Sequence, residues 1–201
     1  FRGPGGKGNP EDWVHVVPVP DTYRDQSRDY IGELQDIVEE AGPVAGFIVE
    51  SMLSCAGQIP LPEGYLTKSF ECVRKVGGLC IADEVQVGFG RVGDNMWAFE
   101  EHGVIPDIVV MGKPIGNGHP MAAVFTTKEI ASAFEEMEFF STFGGNPVSC
   151  AIGMAVLDVI ENEKLIEKSR MMGELFIDGL TKLKQQHKLI GDIRGKGLFL
   201  G

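Results

Sequence analysis

Residues 79–93 read LCIADEVQVGFGRVG, an apolar run that ends in an acidic pair and leads into a glycine-rich segment. Short apolar runs bounded by glycine and polar residues are typical of buried strands in a parallel sheet. Two further runs of this kind are GFIV before Glu50 and IVVMG before Lys113. Glu50, Asp83 and Lys113 are separated by 33 and 30 residues, which suits strand–helix–strand units of about 30 residues.

Helical periodicity of apolar residues follows or separates these runs. The predicted helices cover residues 30–40, 64–76, 147–160 and about 164–187, with Pro147 in a first helical turn. Residues 189–195 and 198–200 are predicted to begin further strands. The pattern therefore predicts an α/β fold with a mostly parallel sheet and flanking helices.

Charged residues end the three predicted strands. In open α/β sheets, ligands bind beyond the carboxyl ends of the strands, where Glu50, Asp83 and Lys113 are expected to converge. Each residue alone also fits an ordinary role, as a helix cap or a solvated lysine. A lysine in a partly desolvated crevice is a usable nucleophile and base. An aldehyde cofactor also needs an anion beside its ring nitrogen, so Lys113 with Asp83 matches pyridoxal phosphate.

Two nucleotide-binding motifs are matched only in part. The pattern G-x-G-x-x-G occurs at residues 88–93, but five residues separate it from the predicted end of the preceding strand. The acid after an apolar strand also resembles P-loop proteins, whose G-x-x-x-x-G-K-[ST] loop the sequence lacks. The four cysteines and four histidines have no short metal-ligand spacing, so we expect reduced thiols and no metal site.

The composition limits the classes of partner. The 201 residues include 18 Lys+Arg and 29 Asp+Glu, a formal net charge of −11, which argues against nucleic acid binding. No apolar run approaches the ~20 residues that span a bilayer, so we expect no membrane segment. The 43% hydrophobic content is sufficient for a packed core.

Three segments resemble class III aminotransferases, fold type I enzymes that use pyridoxal 5'-phosphate. IADEVQVGFGRVG at residues 81–93 resembles the family signature, and PDIVVMGK at residues 106–113 resembles the segment with the cofactor-binding lysine. STFGGNP at residues 141–147 resembles the downstream loop that contacts the cofactor phosphate. The order and spacing of the segments match the family over nearly the whole chain.

One branch of the class is most similar. ESMLSCAGQI at residues 50–59 and GKPIGNGHP at residues 112–120 resemble the ethanolamine-phosphate and 5-phosphohydroxylysine phospho-lyases, once called alanine–glyoxylate aminotransferase 2-like. Ordinary class III aminotransferases tend to have proline where this chain has Ser51. Asn146 and the IENE run at residues 160–163 favour the ethanolamine-phosphate enzyme. The resemblance thus implies elimination of phosphate from ethanolamine phosphate, giving acetaldehyde, ammonia and phosphate.

The resemblance also implies a role for each matching residue. Lys113 would bind the cofactor covalently and later move the substrate proton, and Asp83 would pair with the ring nitrogen. The other implied positions are the ring face at Val85, the phenolic oxygen at Gln86, the cofactor phosphate of the neighbouring subunit at Thr142 and the substrate end of the site at Glu50.

The resemblance implies a partial cofactor-binding domain over residues 1–188 and the start of a C-terminal small domain over residues 189–201, so that the fold is truncated at both ends. We expect the full-length protein to be active and the 201-residue chain alone to have little turnover. The implied partners are a small amine or phosphoamine substrate and a homodimer or dimer of dimers. The implied location is intracellular, in mitochondria in a eukaryote and otherwise in the cytoplasm. Two alternatives stay open: a transaminase of the alanine–glyoxylate or omega-amino type, and a non-catalytic fragment that retains the fold.

Overall fold

A computed structural model describes residues 10–201, so the first nine residues of the predicted large domain lie outside the described part. In chain order the elements are α1 (Tyr30–Ala41), β1 (Gly46–Glu50), β2 (Met52–Leu53), β3 (Ile59–Pro60), α2 (Tyr65–Lys75), β4 (Leu79–Asp83), a 3-10 helix (Ala98–His102), β5 (Ile108–Met111), a second 3-10 helix (Lys113–Gly116), β6 (Ala123–Thr126), α3 (Lys128–Glu135), α4 (Pro147–Asn162), α5 (Leu165–Gln186), β7 (Gly195–Lys196) and β8 (Phe199–Leu200). The two 3-10 helices are called the 98–102 helix and the 113–116 helix below.

The main sheet has the strand order β1, β4, β5, β6. The pairs β1–β4 and β4–β5 are parallel, and β6 adds an antiparallel edge strand to β5. Because parallel strands end at the same edge, the segments that follow β1, β4 and β5 begin side by side. The predicted α/β architecture with a mostly parallel sheet is confirmed.

Helices α1 and α2 cover one side of the sheet. Leu34 of α1, Leu66 and Phe70 of α2, and Cys80 of β4 are fully or almost fully buried in one cluster. The apolar positions recur at helical spacing in both helices, so each presents one apolar face to the sheet. This packing fixes the depth at which β1 and β4 end.

The glycine-rich segment packs against α5. Gly90 and Gly93 have φ values of 77° and 92°, and a Cβ atom would lie 2.5 Å from Ile166 Cγ1 or 2.7 Å from Arg170 Cα. Residues 85–94 form turns and bends, and the next helix begins only at Ala98. The glycines therefore permit close contact with a helix, which accounts for the G-x-G-x-x-G pattern without a dinucleotide.

Parts of the fold differ from the sequence prediction. Antiparallel β6 and helix α3 were not expected, and residues 189–194 are irregular rather than a strand start. Arg194 instead pairs through backbone hydrogen bonds with Gly201 beside the short β7–β8 hairpin. The boundary near residue 189 stays a prediction. No helix within residues 10–201 is both long enough and apolar enough to cross a membrane.

Candidate active site

Glu50 and Asp83 end neighbouring parallel strands and are direct partners in the sheet register. Glu50 accepts hydrogen bonds from the backbone N–H of Ser54, at 2.8 Å, and from the Ser54 hydroxyl. Asp83 Oδ1 accepts the backbone N–H of Val85 at 3.0 Å, and no protein donor to Oδ2 is present within residues 10–201. One oxygen of Asp83 is thus fixed to the turn after the strand, and the other is directed to no protein group.

Lys113 lies at the same edge of the sheet but not at an equivalent strand position. Asp83 pairs with Val110, and β5 ends at Met111, so the chain has already left the strand at Lys113. The prediction of three equivalent strand-end positions is therefore wrong for this residue. Lys113 begins the 113–116 helix with a φ of 38°, a costly value for a residue with a side chain. The following proline also disfavours the right-handed helical conformation at Lys113.

Val85 lies beside the peptide that precedes Lys113. A Cβ atom at Gly112 would lie 3.6 Å from both methyl carbons of Val85. Val85 and Gln86 begin the turn after β4, and both are half-buried. The structure therefore brings a carboxylate, an apolar side chain and the lysine segment to one part of the sheet edge, with Gln86 next in the chain.

Thr142 is located on an exposed loop before α4. The Asn146 side chain orders this loop, because its Nδ2 donates to the Phe143 carbonyl at 2.7 Å and its Oδ1 accepts from the Ser149 N–H at 2.9 Å. Thr142 makes no hydrogen bond to Asp83 or Lys113 among the contacts of residues 10–201. Its contact with a cofactor phosphate in a neighbouring subunit stays a prediction.

Sequence analysis gave no role to His119, which connects two of these segments. His119 Nε2 and Ser149 Oγ are 2.7 Å apart. Ser149 lies in the first turn of α4, and His119 follows the 113–116 helix. The contact therefore joins the lysine segment to the helix that follows the Thr142 loop, and the position of His119 in the GNGHP motif was its only sequence signal.

Sequence analysis also gave no role to Glu84, the second acid of the pair after β4. Its side chain is fully buried and accepts hydrogen bonds from Ser51 Oγ, the Ala98 N–H and the Phe99 N–H. Burial raises the pKa of Glu84, while these hydrogen bonds act in the opposite direction. The adjacent acids therefore have different surroundings, since Asp83 is only partly buried at the sheet edge.

The family model described as Aminotransferase class-III matches residues 8–201. The chain belongs to the class III aminotransferases. It is 49% identical to a Drosophila melanogaster protein named alanine–glyoxylate aminotransferase 2-like, over all of this chain and 44% of that protein. It is 46% identical to human alanine–glyoxylate aminotransferase 2, mitochondrial, over all of this chain and 40% of that protein. The chain thus spans about two-fifths of the length of these class III relatives.

A solved structure adds a different activity among the similar proteins. A phospholyase from Arthrobacter, determined in complex with phosphoethanolamine, is 38% identical with a TM-score of 0.83. The match covers 92% of this chain and 47% of that one. The described part of this class III chain therefore has the same fold as that phospholyase.

Pyridoxal 5'-phosphate is the cofactor of class III aminotransferases. The residues at the sheet edge fit its chemistry. Lys113 offers an exposed amine, Asp83 has one oxygen without a protein donor, and Val85 provides an apolar surface beside the lysine segment. An aldehyde, a protonated ring nitrogen and a ring face require these three kinds of group.

Proposed function

We propose that this chain is the lysine-bearing part of a pyridoxal-phosphate-dependent phospho-lyase that eliminates phosphate from ethanolamine phosphate. The observation that carries the proposal is the 38% identity, over 92% of the chain, to the Arthrobacter phospholyase solved with phosphoethanolamine. The overall reaction consumes one water and gives acetaldehyde, ammonia and phosphate.

Lys113 has two tasks in this proposal. When bound, pyridoxal phosphate supplies an aldehyde carbon for amine attachment and a ring that withdraws electrons. Lys113 holds that carbon until the substrate amine replaces it, and its released amine then accepts the proton from the adjacent substrate carbon. The exposed position of Lys113 at the start of the 113–116 helix suits a side chain that must serve both tasks.

Asp83 keeps the proton on the ring nitrogen. Its Oδ1 is engaged by the Val85 N–H, which leaves Oδ2 to accept the N–H of the ring. Val85 packs on the ring face, and Gln86 donates to the phenolic oxygen. Thr142 would bind the phosphate of the cofactor in the neighbouring subunit.

Glu50 is proposed to act at the substrate end of the site through its loop. Both of its oxygens are engaged by Ser54, so its charge holds the turn at residues 51–58 rather than pointing unpaired into the site. The register pair with Asp83 places this turn next to the carboxylate that binds the ring nitrogen. Glu50 thus orients the wall against which the phosphoamine is held.

Proton transfer to Lys113 precedes loss of phosphate. Once the proton has left the substrate carbon, the C–O bond to phosphate on the neighbouring carbon breaks, and phosphate departs with the electron pair of that bond. Addition of water to the two-carbon remainder then gives acetaldehyde and releases ammonia. Lys113 regains its place on the cofactor in the same exchange.

A transaminase of the alanine–glyoxylate type is the second candidate. The names of the fruit-fly and human relatives favour it. The roles of Lys113 and Asp83 would be the same up to proton removal, because both outcomes begin with that step. The two candidates differ in whether the proton returns to the cofactor carbon or phosphate leaves.

Product analysis of the full-length protein separates the candidates. The protein would be loaded with pyridoxal phosphate and supplied either with ethanolamine phosphate alone or with alanine and glyoxylate. Phosphate and acetaldehyde in equal amounts support the phospho-lyase, whereas pyruvate and glycine support the transaminase. Neither product pair, with intact cofactor binding, would support a non-catalytic role for this fold. A Lys113→Ala variant provides the background rate.

Assembly and location follow from the same proposal. A homodimer or dimer of dimers would bring Thr142 of one subunit to the cofactor of the next, which agrees with its exposed loop in this chain. A mitochondrial location is supported by the names of the Arabidopsis and human relatives. Equilibrium sedimentation and imaging of the tagged full-length protein test these two statements.

A further inference from the structure

Glu84 is a buried carboxylate that the proposed reaction does not use. It directly follows Asp83, its N–H donates to the Val110 carbonyl at 2.9 Å, and its own carbonyl accepts the Gly88 N–H at 2.9 Å. Its side chain has no exposed surface. A carboxylate in such surroundings needs several hydrogen bonds to remain charged.

Three donors from two other segments meet this carboxylate. The Ser51 hydroxyl lies 2.5 Å from Oε1, the Ala98 N–H donates to Oε2 at 2.8 Å, and the Phe99 N–H donates to Oε1 at 3.1 Å. Within residues 10–201, no lysine, arginine or histidine forms an ion pair with Glu84. Because the other two donors belong to the backbone, Ser51 is the side-chain donor that a substitution can remove.

Ser51 occupies the matching place on the neighbouring strand. Glu50 pairs with Asp83 in the register, so Ser51 follows Glu50 as Glu84 follows Asp83. Ser51 is almost fully buried, and its carbonyl accepts a hydrogen bond from His102 Nε2 at 3.2 Å. The Ser51–Glu84 hydrogen bond therefore joins the two strand ends directly behind the two carboxylates at the sheet edge.

We propose that Ser51 and Glu84 are positioning residues, and that their hydrogen bond holds the Asp83 carboxylate in place for the cofactor ring nitrogen. Glu84 connects the peptide after Asp83 to β1 through Ser51, to β5 through Val110 and to the 98–102 helix. A proline at position 51, as ordinary class III aminotransferases tend to have, contains no hydroxyl to complete this arrangement. The inference rests on the proposed cofactor site but not on the choice between phospho-lyase and transaminase.

A matched pair of variants isolates the hydroxyl. Ser51→Thr retains it and Ser51→Val replaces it with a methyl group of similar shape, while Ser51→Ala removes it with less steric change. In the full-length apoprotein, titration with pyridoxal phosphate should give about tenfold weaker binding for the Val and Ala variants than for wild type, with the Thr variant close to wild type. Equal affinities for all four proteins would overturn the positioning role.

A double-mutant cycle in the apoprotein tests the hydrogen bond without the cofactor. Thermal midpoints would be measured for wild type, Ser51→Ala, Glu84→Gln and the double variant. We expect the loss caused by Ser51→Ala to be smaller when Glu84→Gln is also present, because the charge that strengthens the hydrogen bond is gone. Strictly additive losses would overturn the proposal even if cofactor binding changed. Failure of wild type itself to bind the cofactor would overturn the proposed function together with this inference, a result distinct from either of these.

Discussion

Asp83 and Asp107 are located at opposite ends of the contact between β4 and β5. Asp83 ends β4 at the edge that carries Lys113. Asp107 precedes β5 at the other edge, where its Oδ2 accepts the Cys80 N–H at 2.7 Å and its Oδ1 pairs with Arg74 at 3.1 Å. Two acids on one strand pair thus have different tasks, one in holding the strands and one in the proposed chemistry.

Asp83→Asn should lower activity with little effect on folding. The amide oxygen of asparagine retains the acceptor for the Val85 N–H, but the charge that would keep a proton on the ring nitrogen is lost. We expect turnover of the full-length enzyme to fall at least about 100-fold, while the thermal midpoint of the apoprotein stays near that of wild type.

Asp107→Asn is the matched control. Its loss weakens the hydrogen bond to Cys80 and the ion pair with Arg74, so we expect a destabilisation of about 1–3 kcal/mol. Turnover at a temperature where the variant is folded should remain close to wild type. The assignment of Asp83 would be contradicted if both variants lost turnover to the same degree.

Lys113→Ala should abolish covalent attachment of the cofactor. The absorbance of bound pyridoxal phosphate would resemble that of the free aldehyde, and turnover would fall by at least about 100-fold because no amine remains to move the substrate proton. Lys188→Ala, a change at a lysine outside the sheet edge, serves as the control. A normal bound spectrum in the Lys113 variant would show that another amine holds the cofactor.

The strand ends were predictable from the sequence because apolar runs of four or five residues reveal buried parallel strands without knowledge of their neighbours. The position of Lys113 was less predictable, since the turn at Gly112 and Pro114 removes it from the strand register. The environment of Glu84 was not predictable, because two of its donors lie 14 and 15 residues further along the chain in a helix that no periodicity marks. Local pattern thus predicted the edge of the sheet but not the polar network behind it.

Gly93→Ala should destabilise the protein without changing its chemistry. The residue has a φ of 92°, and its Cβ would lie 2.7 Å from backbone atoms of Arg170 in α5. Strain and overpacking together predict a loss of about 2–4 kcal/mol in the free energy of unfolding, measured by urea denaturation.

Gly179→Ala, in the same helix α5, is expected to have the opposite effect. Position 179 has no left-handed φ and nothing within 4 Å of an added Cβ, so alanine should stabilise the helix by about 0.5–1 kcal/mol. A Gly93 variant as stable as wild type would contradict the close packing of the glycine-rich segment on α5.

Cys80 should make stability fall as the pH rises above 9. Burial raises the pKa of the Cys80 thiol from 9.0 to about 11, and its Sγ lies 3.6 Å from the Phe70 carbonyl that accepts its proton. Below pH 9 the thiol is protonated in both states, but between pH 9 and 11 the unfolded chain loses this proton first, which favours unfolding. Cys80→Ala should therefore lose less unfolding free energy than wild type between pH 8 and pH 10 in urea titrations. Cys55→Ala, at an exposed thiol, should retain the wild-type pH dependence, and an unchanged pH dependence in Cys80→Ala would refute the assignment.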